Sequence, residues 1–353
     1  MKIVIRADSN SIVSMGHVMR CLSIADAFKA KENEVIFVCA SEDPVELINK
    51  RGFEAVVLNT AFDKMEEELP LLEPLFEKEG KLFCADLLIV DSYYVTDGYL
   101  SKLKEYAFVA YLDDYANNAV PCDALINYNI YGDLTDYKGL FEKAGLSVPK
   151  LILGAEYVPL RKEFLKATPN RVKRFGKISV LVSTGGSDGL GIAKAIADRM
   201  VKEPIKNVFL NILVGPFSKD REYLEELSKT YPKLMTIYSG IRDMPSFLQK
   251  SNIAVSAAGS TSYELCKMQL PTILFSIADN QNLINKTFAD KNIMDSAGNA
   301  ESNKEECLDN IFSFIKKASK DYGFRKEKAK KMAEVPLGNG AFRIADKLTE
   351  YIK

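Results

Sequence analysis

Short β-branched runs alternate with helix-period segments along this chain, stop once, and then begin again. The first alternation predicts strands at 2–6, 34–39, 54–58, 86–90, 108–112 and 124–127. Helices are predicted between them at 17–29, 44–50, 64–78 and 98–105. Continuous apolar runs such as Leu87-Leu88-Ile89-Val90 suit strands covered by helices on both faces. From 131 to about 175 the pattern is irregular, ending in the basic stretch Arg171-Val172-Lys173-Arg174-Phe175-Gly176-Lys177. A fresh alternation then predicts strands at 178–182, 208–214, 234–238, 253–256 and 271–275. Its helices are predicted at 189–200, 221–229, 244–249, 261–268 and 280–289. Long helical patterns at 303–332 and 342–352 close the chain. Repeated strand–helix alternation implies parallel, doubly wound sheets. The expected fold class is therefore α/β, with two Rossmann-like domains facing a central cleft. The first domain is expected at 1–160, a linker at 161–176 and the second domain at 177–335. A C-terminal helix within 336–353 is expected to pack back on the first.

Length agrees with that division, because 353 residues exceed what one ordinary core organises. Lys plus Arg (47) nearly balance Asp plus Glu (48), so no polyanion-binding surface is indicated and nucleic acid is not an expected partner. The six cysteines are scattered, and a single histidine leaves no zinc-ligand cluster. Reduced thiols are expected, as is a cytoplasmic setting. The N-terminus turns polar after five residues, and no uncharged run approaches the roughly 20 residues that span a bilayer. The basic stretch at 171–177 reads as solvated rather than as a membrane contact. A monomer without a cofactor is expected.

In open α/β sheets ligands bind beyond the C-terminal ends of strands, so the loops after strands are the places to look. The first runs from Arg6 through Asp8 and Ser9 to Gly16-His17 and Arg20. Gly16 permits close backbone approach or an unusual dihedral where the loop enters the helix. His17, in the first helical turn, meets unpaired amides and the positive end of the dipole, which disfavour imidazolium. A neutral histidine is what a general base requires. A capping or partly buried structural histidine is the competing reading.

Two later loops are rich in Gly, Ser and Thr. Ser183-Thr184-Gly185-Gly186-Ser187-Asp188-Gly189 follows a strand and opens a helix, so its amides could cradle a diphosphate without a metal. The alternative there is a plain turn with Asp188 as N-cap. In the second, Gly259-Ser260-Thr261, the hydroxyls could meet phosphate, while Glu264 could hold ribose hydroxyls. A capping box using Ser260 or Thr261 with Glu264 competes with that role. The Asp113-Asp114 pair could hold magnesium, but a structural or sugar-binding role is favoured because neither turn needs a metal to meet phosphate.

Read together, these segments resemble the UDP-2,4-diacetamido-2,4,6-trideoxy-β-L-altropyranose hydrolases of pseudaminic acid biosynthesis. The likeness runs from Lys2 to about Ala289. Its most specific block comprises Arg6, Asp8, Ser9, Gly16, His17 and Arg20. Further matches are Asp91 and Tyr93, the Asp113-Asp114 pair, Asn127-Tyr128-Asn129, Gly185-Gly186-Ser187-Asp188, the 260–264 turn and Asn280-Gln281. The resemblance implies a B-type glycosyltransferase fold and metal-independent, inverting hydrolysis at the anomeric carbon, releasing UDP. It implies His17 as the base and Tyr93 in the sugar site. Arg6, Asp8, Gly16, Arg20, Asp113, Asn127, Asn280 and Gln281 follow as further substrate-binding residues. For UDP it implies Gly185, Gly186, Ser187, Gly259, Ser260, Thr261 and Glu264. That family often carries Asp-His-Tyr after the fourth strand, whereas the middle residue here is Ser92, so no second histidine carries over. An inverting UDP-sugar glycosyltransferase and a non-catalytic sugar-nucleotide-binding protein are the alternatives on the same residues.

Overall fold

The computed structural model describes residues 1–353 other than Ser11 and Ser14. The chain divides into two compact units, one formed by Met1–Arg161 with Gly338–Lys353 and the other by Lys162–Leu337.

The first unit is built on a seven-stranded sheet. Its strands are β1 (Lys2–Ala7), β2 (Glu34–Cys39), β3 (Glu54–Val57), β4 (Leu87–Asp91), β5 (Phe108–Leu112), β6 (Ala124–Asn127) and β7 (Lys150–Leu153). They run parallel in the order β3-β2-β1-β4-β5-β6-β7. Every residue of β4 is buried, as its uninterrupted apolar run requires when helices cover both faces. The order reverses direction between β1 and β4, the switch point where ligands enter such sheets.

The stretch from 131 onward departs from its irregular reading. Asp136 caps the helix Tyr137–Lys143 through the Gly139 amide, and β7 extends the sheet by pairing with β6. Lys-Leu-Ile-Leu stands alone in a stretch without strand–helix alternation, and pairing with β6 defines it as a strand. The helix expected over 64–78 starts instead as a 3₁₀ turn, Met65–Glu68, which passes into the α-helix Leu69–Phe76.

The closing helix, Gly340–Ile352, belongs to this first unit. Its Ala341, Ile344, Ala345 and Leu348 form a buried stripe. Gly340 is required by proximity, since a β-carbon there would overlap the Val158 carbonyl oxygen and the Tyr157 backbone. Gly340→Ala is therefore expected to destabilise the first unit by about 1–3 kcal/mol. Urea unfolding followed by circular dichroism, against the wild-type midpoint, checks this.

The second unit carries a six-stranded parallel sheet. Its strands are β8 (Ile178–Ser183), β9 (Val208–Leu213), β10 (Met235–Tyr238), β11 (Ile253–Ala257), β12 (Thr272–Ser276) and β13 (Asp295–Asn299). The order β10-β9-β8-β11-β12-β13 repeats the reversal seen in the first sheet, here between β8 and β11. Strand β13 was not expected. Its Asp-Ser-Ala-Gly-Asn sequence has no β-branched residue, and this edge position is set by pairing with β12 alone. The segment after Arg161 forms a short helix, Lys162–Leu165. Asn170 then fastens the chain to its own unit, its amide donating to the Met268 carbonyl and its side chain to those of Leu248 and Ser251. The pattern at 303–332 resolves into two helices, Lys304–Lys320 and Tyr322–Ala333, with Asp321 capping the second through the Phe324 amide. Among the described residues no helix is long and apolar enough to cross a membrane.

Candidate active site

In the first unit, the switch point between β1 and β4 gathers the most polar buried residues of that sheet. Asp8 follows β1. The helix Gly16–Lys29 then presents His17 and Arg20 three residues apart, on one face. Asp91 is the last residue of β4, with Ser92, Tyr93 and Tyr94 directly after it.

The His17 Nδ1 atom lies 2.5 Å from Asp91 Oδ1. Arg20 grips the same carboxylate with both arms, Nη2 donating to Oδ1 at 2.5 Å and Nε to Oδ2 at 2.6 Å. The Cys21 thiol donates to Oδ2 at 3.3 Å. Burial opposes charge on Asp91, but the guanidinium of Arg20 and the imidazole of His17 outweigh it, holding the carboxyl well below the usual carboxylate range. Burial conversely pushes the Cys21 thiol well above its ordinary value, so it remains a donor. An ionised carboxylate in this position accepts the Nδ1 proton, which leaves Nε2 as the basic nitrogen.

Arg20 also links this pair to a neighbouring carboxylate, its Nη1 donating to Asp114 Oδ2 at 2.7 Å and to the Tyr128 hydroxyl at 2.8 Å. The Tyr93 hydroxyl donates to the same Asp114 oxygen at 3.0 Å, and its ring meets His17 edge-on with centroids 4.4 Å apart. A second network lies beside the first. Arg6 donates from Nη1 to Asp8 at 2.5 Å and grips Glu68 through Nε and Nη2, while Asp8 accepts the Ala40 amide at 2.8 Å. These paired charges satisfy the rule that ionised groups persist in an interior only with partners. His17 is only 5% exposed. It nonetheless lines a small pocket, together with Asp8, Asp91, Ser92, Phe62 and Tyr94.

The residues expected to bind substrate divide on these contacts. Asp8, His17 and Tyr93 line the pocket. Arg6, Arg20, Asp113 and Asn127 are instead buried among partners of their own chain. They are 1%, 8%, 5% and 0% exposed, and their polar atoms are engaged within the protein. Asp113 accepts the Tyr115 and Ala116 amides and the Tyr137 hydroxyl, and Asn127 donates to that hydroxyl while accepting the Asn129 amide. Of the two adjacent aspartates, Asp114 joins the Arg20 network. Asp91 entered the sequence reading only as part of a motif. Its position at the end of the strand beside β1 was the signal that it meets the helix after β1. Gly16 adopts no left-handed conformation, and a β-carbon there would meet none of the described atoms within 4 Å.

In the second unit the two Gly/Ser/Thr turns follow β8 and β11, again at the point of reversal. After β8 the helix begins at Ile192, three residues later than predicted. Asp188 stands at φ +48°, and its carboxylate accepts the amides of Ile192 and Ala193, each at 2.9 Å. Those helix-end amides therefore have a resident anion, although the N-cap position itself is held by Gly191 rather than by Asp188. Gly185, Gly186 and Ser187 lie ahead of it, outside the interior. After β11, Ser260 occupies the cap of the helix Thr261–Lys267 without a side-chain capping bond of its own. Gly259, Ser260 and Thr261 reach solvent, whereas Glu264 is buried one turn further on. Gln281, on the helix Asp279–Asp290, turns its side-chain oxygen back to the Ile277 amide at 3.0 Å, and Asn280 beside it is partly exposed.

Residues 180–347 match the glycosyltransferase family 28 C-terminal domain. Among curated proteins, an uncharacterized protein of Methanocaldococcus jannaschii is 24% identical over 78% of this chain, which spans 55% of that protein's length. The UDP-2,4-diacetamido-2,4,6-trideoxy-beta-L-altropyranose hydrolase of Campylobacter jejuni is 26% identical, covering 74% of this chain and 86% of its own. The spore coat polysaccharide biosynthesis protein SpsG of Bacillus subtilis is 24% identical over 87% of each chain. Among solved structures, Acinetobacter baumannii MurG is similar with a TM-score of 0.62 at 13% identity, covering 99% of both chains. Phytolacca americana UGT2, solved with UDP-2fluoro-glucose and pterostilbene, gives 0.68 at 11% identity over 100% of both. The fold is thus the two-domain, B-type glycosyltransferase fold.

Proposed function

We propose that the chain hydrolyses a UDP-linked 2,4-diacetamido-2,4,6-trideoxy sugar at its anomeric carbon, with inversion, freeing UDP and the sugar. The observation that carries this reading is the His17–Asp91 pair at 2.5 Å on the wall of a pocket. The names of the Campylobacter relative and of a Helicobacter pylori relative, 28% identical over 58% of this chain, supply the substrate class. Water gives a proton to His17 Nε2 while its oxygen bonds to C1. The bond from C1 to the diphosphate oxygen breaks, and its electron pair leaves with UDP. Asp91 stabilises the imidazolium formed at that moment, and Tyr93 borders the sugar.

The nucleoside diphosphate is assigned to the second unit. Because Asp188 fills the helix end after β8, the diphosphate falls to the Gly259-Ser260-Thr261 turn, with Gly185, Gly186 and Ser187 alongside and Glu264 toward the ribose. Asn280 and Gln281 are assigned to substrate contacts. Charge on the departing diphosphate is met by amides and hydroxyls, so turnover is expected to survive exhaustive chelation with EDTA. Turnover that falls with chelation and returns on adding magnesium refutes the metal-independent assignment.

A transferase reading shares the base and the nucleotide turns, and the family 28 match favours it as the second possibility. UDP release from the donor alone supports hydrolysis, whereas strict dependence on an added acceptor supports transfer. Incubation in ¹⁸O-water is the decisive experiment. Label is expected at C1 of the sugar, and label in UDP would mean attack at phosphorus.

A further inference from the structure

Four neighbouring strands of the first sheet, β1, β4, β5 and β6, end side by side. His17 and Arg20 lie on the helix after β1, Asp91 ends β4, Asp114 follows β5 and Tyr128 follows β6. The proposed reaction leaves Asp114 without a task. This buried carboxylate accepts Arg20 Nη1 at 2.7 Å and the Tyr93 hydroxyl at 3.0 Å, both on Oδ2. Its Oδ1 accepts the Asn129 side-chain amide at 3.0 Å, and its backbone carbonyl accepts the Tyr131 hydroxyl at 2.5 Å. Asp114 is thus fixed in place and joined to two groups that meet the His17 ring.

Arg20 is the more consequential link. Its Nη2 donates to Asp91 Oδ1 but also stands 3.2 Å from His17 Nδ1, within hydrogen-bonding reach. Were Nη2 to donate to Nδ1, the ring proton would sit on Nε2 and the base would be lost. Asp114 holds the remaining arm, Nη1, and so keeps the planar fork seated on Asp91. The second link is Tyr93. With its hydroxyl held by Asp114, its ring packs edge-on between His17 and Tyr115, whose centroid lies 5.1 Å away. We infer that Asp114 is a positioning residue for His17, keeping Nε2 the basic nitrogen through Arg20 and the ring in place through Tyr93. The inference rests on the hydrolase reading for what the base does, whereas the tautomer it fixes is a property of the protein alone.

The test uses the full chain with ¹⁵N-labelled histidine, where a single imidazole gives one pair of ring-nitrogen signals. At alkaline pH wild type is expected to show two well-separated signals, with the proton on Nδ1. In Asp114→Asn the separation should shrink as the second tautomer is populated. An amide sets its NH₂ group against either the Asn129 amide or the Arg20 and Tyr93 donors, so the fork is no longer held from both sides. The kcat for UDP release should fall by roughly 10–10²-fold, the scale of a small misplacement of a reacting group, with KM within about threefold. Tyr93→Phe, which keeps the ring, should give a smaller change in the same direction. Wild-type signals and kcat in Asp114→Asn, whatever its unfolding midpoint, overturn the inference, the mark of a merely structural role. If that variant does not fold, Tyr93→Phe decides, and unchanged signals and kcat there overturn it. UDP release by wild type, with signals unmoved in Asp114→Asn, sinks the inference and spares the hydrolase reading. Signals that move, in a chain whose wild type releases no UDP, do the reverse.

Discussion

Replacing His17 with alanine is expected to lower turnover by roughly 10²–10⁴-fold, the usual contribution of a positioned general base. Binding of UDP should stay within about twofold of wild type, because the turns assigned to the nucleotide belong to the other compact unit. UDP release under saturating donor gives the first quantity and calorimetry with UDP the second. The separation is informative because His17 has a second role in the fold. Its ring packs against Tyr93 and its Nδ1 occupies one side of Asp91. A variant that merely loosened this packing would show a lower unfolding midpoint and raised KM, with kcat largely kept. Loss confined to kcat, in protein whose unfolding midpoint is near wild type, is the signature of a missing base. Full activity in the variant would remove His17 from the chemistry.

The architecture was readable because its signal is long-range and redundant. Nine of the eleven strands that alternation predicts have buried apolar runs, the exceptions being β3 and β10, and β4 with its five buried residues is the clearest case. What escaped was defined by neighbours rather than by local pattern. Strand β7 is four residues long, and β13 is polar with glycine in it, so each exists through pairing with the strand beside it. The site followed the same rule. His17 was conspicuous as the only histidine, and its place after β1 pointed to a strand end. Its orienting partner lies 74 residues away, and only the adjacency of β1 and β4 brings Asp91 beside it. Arg6 and Arg20 enter from sequence only as substrate-binding residues implied by the family resemblance. Burial instead obliges each to meet carboxylates of its own chain, which sequence spacing could not reveal. Asp188 illustrates a contact that lies between the two local rules, since its carboxylate meets the Ile192 and Ala193 amides while Gly191 holds the N-cap position.

Asp91→Asn is expected to cost turnover as heavily as the loss of His17, through a different physical cause. The carboxylate accepts the Nδ1 proton and so leaves Nε2 free to act as base, whereas an amide can donate to Nδ1 and shift the proton to Nε2. The same substitution removes the charge that Arg20 grips with two arms, so a stability loss of about 3–5 kcal/mol accompanies it, the cost of breaking a buried pair. The two effects separate by pH. Wild-type Asp91 is held below its ordinary range, chiefly by Arg20 and His17 against the opposing effect of burial. The unfolded chain therefore binds that proton first as pH falls. Stability from this group is fully present above the unfolded value, about 4, and drains away on further acidification toward the folded value. In Asp91→Asn this source of acid sensitivity is gone, so its unfolding free energy should be lower than wild type near neutrality and fall less steeply below pH 4. Asp91→Glu, which keeps the charge but moves it, should restore part of the stability and little of the turnover. Urea unfolding from pH 7 to pH 3, set beside kcat at neutrality, measures both. If Asp91→Asn stays active at neutrality while losing stability, the carboxylate braces the fold and does not orient the base.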